Sequence, residues 1–310
     1  MGRYLIAGAA GYVGSRLAQR LLAEGNTVRG LVRDRDSEVV QQLAAQGMSV
    51  WEGDLTQPES LIGVASGIEY VFNLTARSVL SNGHVRELFV AGNRNLIAAC
   101  SRARSVRGYV FTSNVAPYGD NGDQWVSEDS PVQPCYPLGE TMVAAEQVIM
   151  ELIRQHHFPA MILRVGSIYG PERDPVEAMI SGTATLIGDG RNFTSRIHID
   201  DLLTVLARVA VDGQPGAVYN VGDEQPLRAL DVASLICDAL GEFPPRPFPK
   251  ASMLAAGIDA SVVGMASSSV RLSNRRITEE LGVSLRFPRF EDWLEERMAA
   301  ETSGNLVLSQ

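Results

Sequence analysis

Three glycines with a spacing of three residues, Gly8, Gly11 and Gly14, follow a short apolar run near the start of the chain. The run Arg3–Ala7 is typical of a buried strand, and Tyr12–Glu24 has the apolar periodicity of a helix. In this context the first glycine permits a tight turn, the second lets a pyrophosphate approach the backbone, and the third lets the helix pack closely. The pattern therefore predicts a dinucleotide site at the helix N-terminus, where free N–H groups attract phosphate.

Strands and helices continue to alternate over about half of the chain. Buried strands are predicted at Arg3–Ala7, Thr27–Val32, Ser49–Glu52, Tyr70–Leu74, Gly108–Thr112 and Ala160–Val165. The helices between them are predicted at Tyr12–Glu24, Val39–Gln46, Val85–Ala103 and Leu138–His156. Near-continuous apolar strands separated by helices indicate an α/β fold with a Rossmann-type, doubly wound parallel sheet.

The pattern is looser after Gly170, which predicts a smaller C-terminal substrate lobe. We expect residues 1–170 to form the NAD(P)-binding Rossmann domain, with a return segment near residues 196–226 that includes a strand at Val218–Val221. Residues 171–195 and 227–310 are then expected to form the substrate-binding lobe, with helices at Leu227–Leu240 and Phe290–Ala300.

The end of the second predicted strand bears on the choice of cofactor. An NAD site usually has Asp or Glu there to bind the ribose 2′-hydroxyl, but this chain has Val32 followed by Arg33, with Arg35 close by. Because guanidinium groups pair well with phosphate, Arg33 favours NADP(H) over NAD(H). The alternative is a surface ion pair of Arg33 with Asp34 or Asp36.

Asp54 and Leu55 follow the third predicted strand and are further candidates for cofactor contacts. The Asp54 carboxylate is placed to accept a hydrogen bond from the adenine amino group. It is equally well placed to be the N-cap of the next short helix.

Composition excludes several classes of protein. The chain has 310 residues, a net charge of −9 and 20% charged residues, so nothing indicates nucleic-acid binding. No apolar run has the length of a membrane span, and no signal peptide precedes the first strand. The cysteines Cys100, Cys135 and Cys237 form neither a disulfide framework nor a metal pattern. We therefore expect a cytoplasmic protein that uses a small-molecule substrate and has no metal.

Further motifs resemble the extended short-chain dehydrogenase/reductase superfamily, of the NAD(P)-dependent epimerase/dehydratase type. They are the three glycines, Gly53–Leu55, Thr112–Ser113, Pro117–Gly119, Leu163–Arg164, Ile168–Pro171 and Arg196–Asp201. The stretches Asn121–Glu146 and Ser273–Trp293 resemble an atypical branch, the YeeZ-like group.

The resemblance implies that Ala76, Thr112, Gly166 and Ile168 lie along the cofactor. Together with the residues of the glycine turn and of the strand ends, the predicted cofactor contacts are Gly8, Gly11, Tyr12, Val13, Gly14, Arg33, Asp54, Leu55, Ala76, Thr112, Gly166 and Ile168. It also implies that His198 is structural. A homodimer through the helices Val85–Ala103 and Leu138–His156 is the expected assembly.

The usual chemistry of this superfamily needs Ser or Thr and then Tyr-x-x-x-Lys, in which the lysine lowers the pKa of the tyrosine. Counting back from Tyr118 puts Asn114 at the serine position, with Ser113 adjacent. One register keeps Tyr136 but has Glu140 in place of lysine. The other, anchored on Glu146 and Gln147, has Leu138 and Met142 at the two positions. The single lysine of the chain is Lys250.

The catalytic candidates are Asn114, as a donor that polarises a substrate carbonyl, Tyr136, as a proton donor, and Ser113. Tyr118, Tyr169 and His84 are weaker candidates. We expect Glu140 to raise the pKa of Tyr136. An NADPH-dependent reductase of a carbonyl or imine is the first hypothesis. A non-redox cyclase, dehydratase or isomerase on the same scaffold is the second, and a non-catalytic NADP(H)-binding regulator is the third.

Overall fold

A computed structural model describes residues 1–76 and 85–308, with side chains up to residue 300. The strands are β1 (Arg3–Ala7), β2 (Thr27–Val32), β3 (Ser49–Glu52), β4 (Tyr70–Asn73), β5 (Gly108–Asn114), β6 (Trp125–Val126), β7 (Ala160–Val165), β8 (Ser167–Tyr169), β9 (Phe193–Thr194), β10 (Arg196–His198), β11 (Val218–Val221), β12 (Leu227–Arg228) and β13 (Arg271–Leu272). The helices are α1 (Tyr12–Ala23), α2 (Glu38–Ala45), α3 (Gly92–Ala103), α4 (Pro137–His156), α5 (Pro175–Ile180), α6 (Ile199–Asp212), α7 (Ala229–Leu240), α8 (Lys250–Ala255), α9 (Ala260–Ser267) and α10 (Phe290–Leu308).

The central element is a seven-stranded sheet in the order β11-β7-β5-β4-β1-β2-β3. The pairs β1–β2, β1–β4, β2–β3 and β4–β5 are parallel. Its inner strands are apolar because helices cover both faces, and every residue of β7 is buried. The predicted Rossmann-type parallel sheet is confirmed.

The chain divides into two units of dense internal contacts. The first unit consists of Met1–Pro117, Pro137–Arg164 and Leu203–Tyr219, and the second of Tyr118–Tyr136, Val165–Leu202 and Asn220–Gln310. The sequence-based division at residue 170 stays a prediction.

The long predicted helices of the first unit are present, with two local differences. The predicted helix Val85–Ala103 contains a π-helical turn at Glu87–Ala91 before α3 begins at Gly92. Helix α4 begins one residue earlier than predicted, at Pro137. This position suits proline because an N–H in the first turn has no acceptor within the helix.

The second unit consists of short pieces of sheet with helices packed beside them. Strand pairs β10–β8 and β13–β6 are parallel, and β12–β9 is antiparallel. One hydrophobic core of this unit is formed by Tyr169, Val176, Val232, Ile236, Phe287, Phe290, Trp293 and Leu294. The predicted helix Leu227–Leu240 begins only at Ala229, because Leu227 and Arg228 form β12.

The described residues contain neither a membrane-spanning helix nor a cluster of metal ligands. Over residues 1–76 and 85–308, no helix is long and apolar enough to cross a membrane. The same part of the chain has no group of His, Cys, Asp and Glu side chains that could hold a metal ion. Cys100 and Cys237 are buried, as small apolar thiols often are, whereas Cys135 is exposed.

Candidate functional site

The turn between β1 and α1 requires glycine for two different reasons. Gly8 has a φ of +84°, and a Cβ there would lie 3.0 Å from the Leu74 carbonyl oxygen. At Gly14 a Cβ would lie 2.1 Å from the Gly8 carbonyl oxygen, so only glycine lets the helix pack this closely. Gly11 is exposed, has an ordinary φ of −79°, and would bring a Cβ no closer than 3.2 Å to the protein. A Cβ at Gly11 would therefore be tight against a single backbone atom, a much milder conflict than the one at Gly14.

The N-terminus of α1 fits an anionic ligand. Its N-cap is Gly11, which supplies no capping side chain, and its first turn contains no acidic residue. The helix dipole at this end is thus not compensated by a carboxylate of the first turn. Tyr12 and Val13 are partly exposed in this turn, and the Arg16 guanidinium lies 4.1 Å from the Tyr12 ring centroid. These residues fit the diphosphate of a dinucleotide.

Two guanidinium groups follow the end of β2. Val32 is buried, whereas Arg33 and Arg35 are exposed. In the part of the chain that the structure describes, neither arginine forms an ion pair or a side-chain hydrogen bond. The surface pairing of Arg33 with Asp34 or Asp36 is therefore not found. Asp34 instead accepts a hydrogen bond from the Asp36 N–H at 2.9 Å.

The segment after β3 is shaped by Asp54. Its Oδ1 accepts hydrogen bonds from the Thr56 N–H at 2.8 Å and the Thr56 hydroxyl at 2.7 Å. The 3₁₀ helix that follows has Gln57 as its N-cap, so Asp54 holds a turn and does not cap that helix. Leu55 is buried, and its carbonyl accepts from the Asn95 side-chain amide at 2.8 Å.

Two predicted cofactor contacts lie near the ends of neighbouring strands, one just after β4 and one on β5. Ala76 is exposed three residues after β4. The Thr112 hydroxyl donates a hydrogen bond to the Asn73 carbonyl at 3.0 Å, which joins the two strands. His84 lies outside the described residues. Ala76 and Thr112, with the three glycines, Arg33 and Asp54, lie at the carboxyl ends of the strands of the first unit, where doubly wound sheets bind ligands.

Ser113 and Asn114 have opposite environments on β5. The Ser113 side chain is buried, and its hydroxyl donates to Glu146 Oε1 at 2.6 Å. Asn114 is partly exposed, and its Oδ1 accepts from the Ala116 N–H at 2.9 Å. Of the two candidates, only Asn114 keeps hydrogen-bonding capacity toward a ligand.

The two helical positions that the second register assigns to Tyr and Lys are apolar and buried. Leu138 is 6% exposed and Met142 1% exposed on α4, one helical turn apart and therefore on one face of the helix. Glu146 continues this face one turn later. On this register Met142 stands where the lysine is expected, so this position supplies no cation to lower the pKa of an acid–base group.

Tyr136 belongs to the second unit, directly before the start of α4. Its ring packs on α9 so closely that a Cβ at Gly264 would lie 2.4 Å from the ring. Burial raises the pKa of the Tyr136 phenol well above its ordinary value, with a smaller contribution from Cys135. The expected direction of this shift is therefore found, but Glu140 is not its cause. A phenol in this state holds its proton and is a poor base.

The other predicted positions of the second unit differ in their exposure and in their contacts. The Gly166 N–H donates to the Val221 carbonyl at 2.9 Å, and Ile168 is partly exposed on β8. Tyr118 is buried, and its hydroxyl donates to Asn220 Oδ1 at 2.7 Å. His198 is buried with its ring against Tyr169, and burial lowers its pKa. A neutral, packed His198 agrees with the structural role expected for it.

One buried ion pair and one buried carboxyl group were not expected from sequence. Arg164 Nη2 lies 2.6 Å from Glu146 Oε2 in the first unit, with both side chains buried. In the second unit Asp223 is 2% exposed, and its Oδ1 has no hydrogen-bond partner among the described residues. Burial raises the pKa of Asp223 to about 7, and the Arg196 guanidinium lowers it in part. No local periodicity signals such groups, since the residues that surround them come from different elements.

Comparison with known protein families adds an independent observation. The model of the NAD dependent epimerase/dehydratase family matches residues 4–222. A UDP-glucose 4-epimerase of Mycolicibacterium smegmatis is 30% identical over 262 residues, which are 77% of this chain and 83% of that protein. A trifunctional UDP-glucose 4,6-dehydratase/epimerase/reductase of Arabidopsis thaliana is 25% identical over 264 residues, and the match covers 77% of this chain but only 40% of that protein.

Solved structures with this fold extend over nearly the whole chain. A functionally unknown conserved protein of Silicibacter pomeroyi superposes with a TM-score of 0.75 and 28% identity, covering 97% of this chain and 99% of that one. A dTDP-glucose 4,6-dehydratase of Streptomyces venezuelae, solved with NAD and TYD bound, has a TM-score of 0.80 and 23% identity, covering 97% of this chain and 98% of that one.

Proposed function

Because the chain belongs to the NAD dependent epimerase/dehydratase family, we propose that it binds NADP(H) and reduces a carbonyl or imine of a small molecule. The observation that carries this proposal is the glycine turn before α1. At Gly11 a Cβ would be tight against one protein atom, the Gly8 carbonyl oxygen at 3.2 Å. An approaching diphosphate is a stronger reason for the lack of a side chain.

NADP(H) is preferred to NAD(H) because of the charges after β2. Arg33 is exposed and has no ion-pair partner among the described residues. An acidic side chain in place of the buried Val32 would bind a ribose hydroxyl and repel a 2′-phosphate, whereas the Arg33 guanidinium attracts that phosphate.

The proposed chemistry assigns a limited role to the side chains. Reduced nicotinamide supplies hydride when it is bound. The Asn114 amide donates a hydrogen bond to the substrate oxygen and so stabilises the charge that develops there. Tyr136 retains its proton at neutral pH and is a proton donor but not a base. Reduction needs only a donor, whereas oxidation of an alcohol needs a base, so we infer that reduction is the favoured direction.

A second candidate function is a reaction on a nucleotide sugar without net redox change. It is supported by relatives named as a UDP-glucose 4-epimerase and as dTDP-glucose 4,6-dehydratases. In that case the dinucleotide is recycled within each turnover, and product forms while the NADPH absorbance stays constant.

The test of the cofactor assignment is a pair of arginine substitutions. We expect Arg33→Ala to weaken NADPH binding about tenfold or more and to leave NADH binding nearly unchanged, since one charge-assisted phosphate contact is lost. Arg275→Ala removes an exposed guanidinium of the second unit, paired with Glu279, and is the control. NADPH fluorescence titration measures both. Absence of binding of either dinucleotide at millimolar concentration would end the proposal.

Turnover is tested separately with a panel of carbonyl, imine and nucleotide-sugar compounds. Loss of NADPH absorbance with substrate supports reduction, and product without that loss supports the second candidate.

A homodimer through α3 and α4 is proposed from the family resemblance alone, and light scattering in solution tests it. A cytoplasmic location is likewise a proposal, and cell fractionation tests it.

A further inference from the structure

A buried, charged cluster joins three elements of the first unit. It consists of Ser113 on β5, Glu146 on α4 and Arg164 on β7, which are 3%, 6% and 5% exposed. Arg164 donates to the Glu146 carboxylate from Nη2 at 2.6 Å and from Nε at 3.2 Å. Ser113 donates to the same carboxylate at 2.6 Å. The cluster therefore uses one carboxylate to hold both a strand end and a helix.

Stability alone is a poor explanation for such a cluster. Removing two charges from water is costly, and well-packed apolar residues often stabilise a core as well as a buried ion pair does. A charged, hydrogen-bonded cluster also fixes the orientation of its own side chains, because its bonds are directional and its members cannot be left unpaired. We therefore ask which neighbouring residue depends on that fixed orientation.

The residue whose direction depends on the cluster is Asn114, the next residue after Ser113. Successive side chains of a strand point to opposite faces, so the bond that fixes Ser113 inward also fixes the direction of the Asn114 Cα–Cβ bond outward. Thr112 on the other side is bonded to the Asn73 carbonyl. The end of β5 is thereby tied down at two consecutive residues directly before Asn114.

The orientation of the Asn114 amide is determined by one further bond. Its oxygen accepts from the Ala116 N–H at 2.9 Å, so its nitrogen must point the other way. Within residues 1–76 and 85–308, no group accepts a hydrogen bond from that nitrogen. The amide is thus a donor that the fold orients and does not use.

We propose that Ser113, held by the Glu146–Arg164 pair, is a positioning residue that keeps the Asn114 amide directed toward the substrate oxygen. The inference rests on the proposed reduction, in which Asn114 is the donor. Ser113 itself touches no substrate. Its contribution is to remove the freedom of the strand end, so that the donor is in place before substrate binds.

The test compares two variants that lack the hydrogen bond of Ser113 with one that keeps it. Ser113→Ala removes the donor, and the double variant E146L/R164M removes the acceptor without leaving a lone charge. The matched control, E146Q/R164M, is equally neutral but leaves the Gln side-chain oxygen for Ser113. The ¹⁵N–¹H signals of the Asn114 side-chain amide, identified by Asn114→Asp, report its orientation.

We expect the Asn114 amide signals to shift or broaden in Ser113→Ala and E146L/R164M and to stay in place in E146Q/R164M, with NADPH affinity within about twofold throughout. With a compound that the wild type reduces, kcat falls about tenfold or more in the first two variants, since small misplacements of a reacting group are costly. Unchanged amide signals in Ser113→Ala overturn the inference, even if E146L/R164M fails to fold. That result leaves NADPH binding, and with it the proposed function, untouched.

Discussion

Two glycines three residues apart have separable roles. Gly14 is needed by the fold, because its missing Cβ would lie 2.1 Å from a backbone oxygen. Gly11 has an ordinary backbone conformation, and a Cβ there would be close to one atom only, the Gly8 carbonyl oxygen at 3.2 Å. A single substitution at each position therefore distinguishes a requirement of packing from a requirement of ligand binding.

We predict that Gly11→Ala weakens NADPH binding at least about tenfold while unfolding free energy changes by less than about 1 kcal/mol. Gly14→Ala is expected to destabilise the protein by about 1–3 kcal/mol or more, because the helix must move off the strand. Urea unfolding and fluorescence titration measure the two effects. Equal loss of stability in both variants would contradict the distinction.

The contribution of Asp223 to stability can be measured separately, because it changes with pH. Its carboxyl is buried near Arg196, Glu291 and Glu224, and burial raises its pKa to about 7. The folded state therefore holds a proton that the unfolded state has released above about pH 4. The stabilising contribution is complete below pH 4 and is lost as the pH rises toward 7.

Asp223→Asn removes this titration. We predict that the stability of Asp223→Asn relative to wild type increases between pH 5 and pH 8, on the order of 2 kcal/mol. Asp36→Asn, at an exposed carboxylate, is the control and should show no such trend. Thermal unfolding across this pH range measures the stability difference between each variant and wild type. A flat difference for Asp223→Asn would show that its carboxyl ionises normally in the fold.

At the scale of elements, α4 and β7 are joined by the Glu146–Arg164 pair. Arg164→Met should cost about 3–5 kcal/mol of unfolding free energy, because it leaves a buried carboxylate without its partner. The neutral double variant E146Q/R164M should regain most of that loss. Urea denaturation measures both, and equal stabilities of the single and double variants would argue against a fully buried charge.

The sequence predicted most long elements and few short ones. Strand β1 has the predicted bounds, as does β2. The 14-residue helix α6 was not predicted, although it lies within the expected return segment. Strands of two or three residues, such as β6 and β13, were not predicted either, because they are too short for a period to be visible. Helix α9 was missed for a different reason: its Ala260–Ser267 segment is small and apolar without a clear face. The short strands form because neighbouring strands supply their hydrogen bonds, whereas α9 is held by packing, as its contact with the Tyr136 ring shows.

At the scale of the whole molecule, cofactor binding should be visible as stability. A ligand that binds only the folded state at 100 times its Kd adds about 2.7 kcal/mol to unfolding. We predict that NADPH raises the Tm more than NADH at equal concentration, and that Gly11→Ala abolishes the difference. Scanning fluorimetry measures it. Equal shifts from the two dinucleotides would remove the basis for the NADP(H) preference.

Some features of the candidate site could be predicted from the sequence, and others could not. The glycine turn and Arg33 could be located because spacing along one β–α–β stretch determines their positions. The direction of the Tyr136 pKa shift was also predictable, yet its cause was not, since burial depends on α9 and Glu140 is exposed instead. The choice between Ser113 and Asn114 depended on which residue faces Glu146.

The amino-acid sequence by itself determined the alternation of strands and helices in the first 165 residues, the glycine turn before α1 and the lack of lysine before Lys250, because each depends on neighbours along the chain. Only the tertiary structure decided which polar groups are buried, as with the Glu146–Arg164 pair and the Asp223 carboxyl. The physical reason is that burial and pairing are properties of elements distant in sequence, and no local pattern encodes which of them meet.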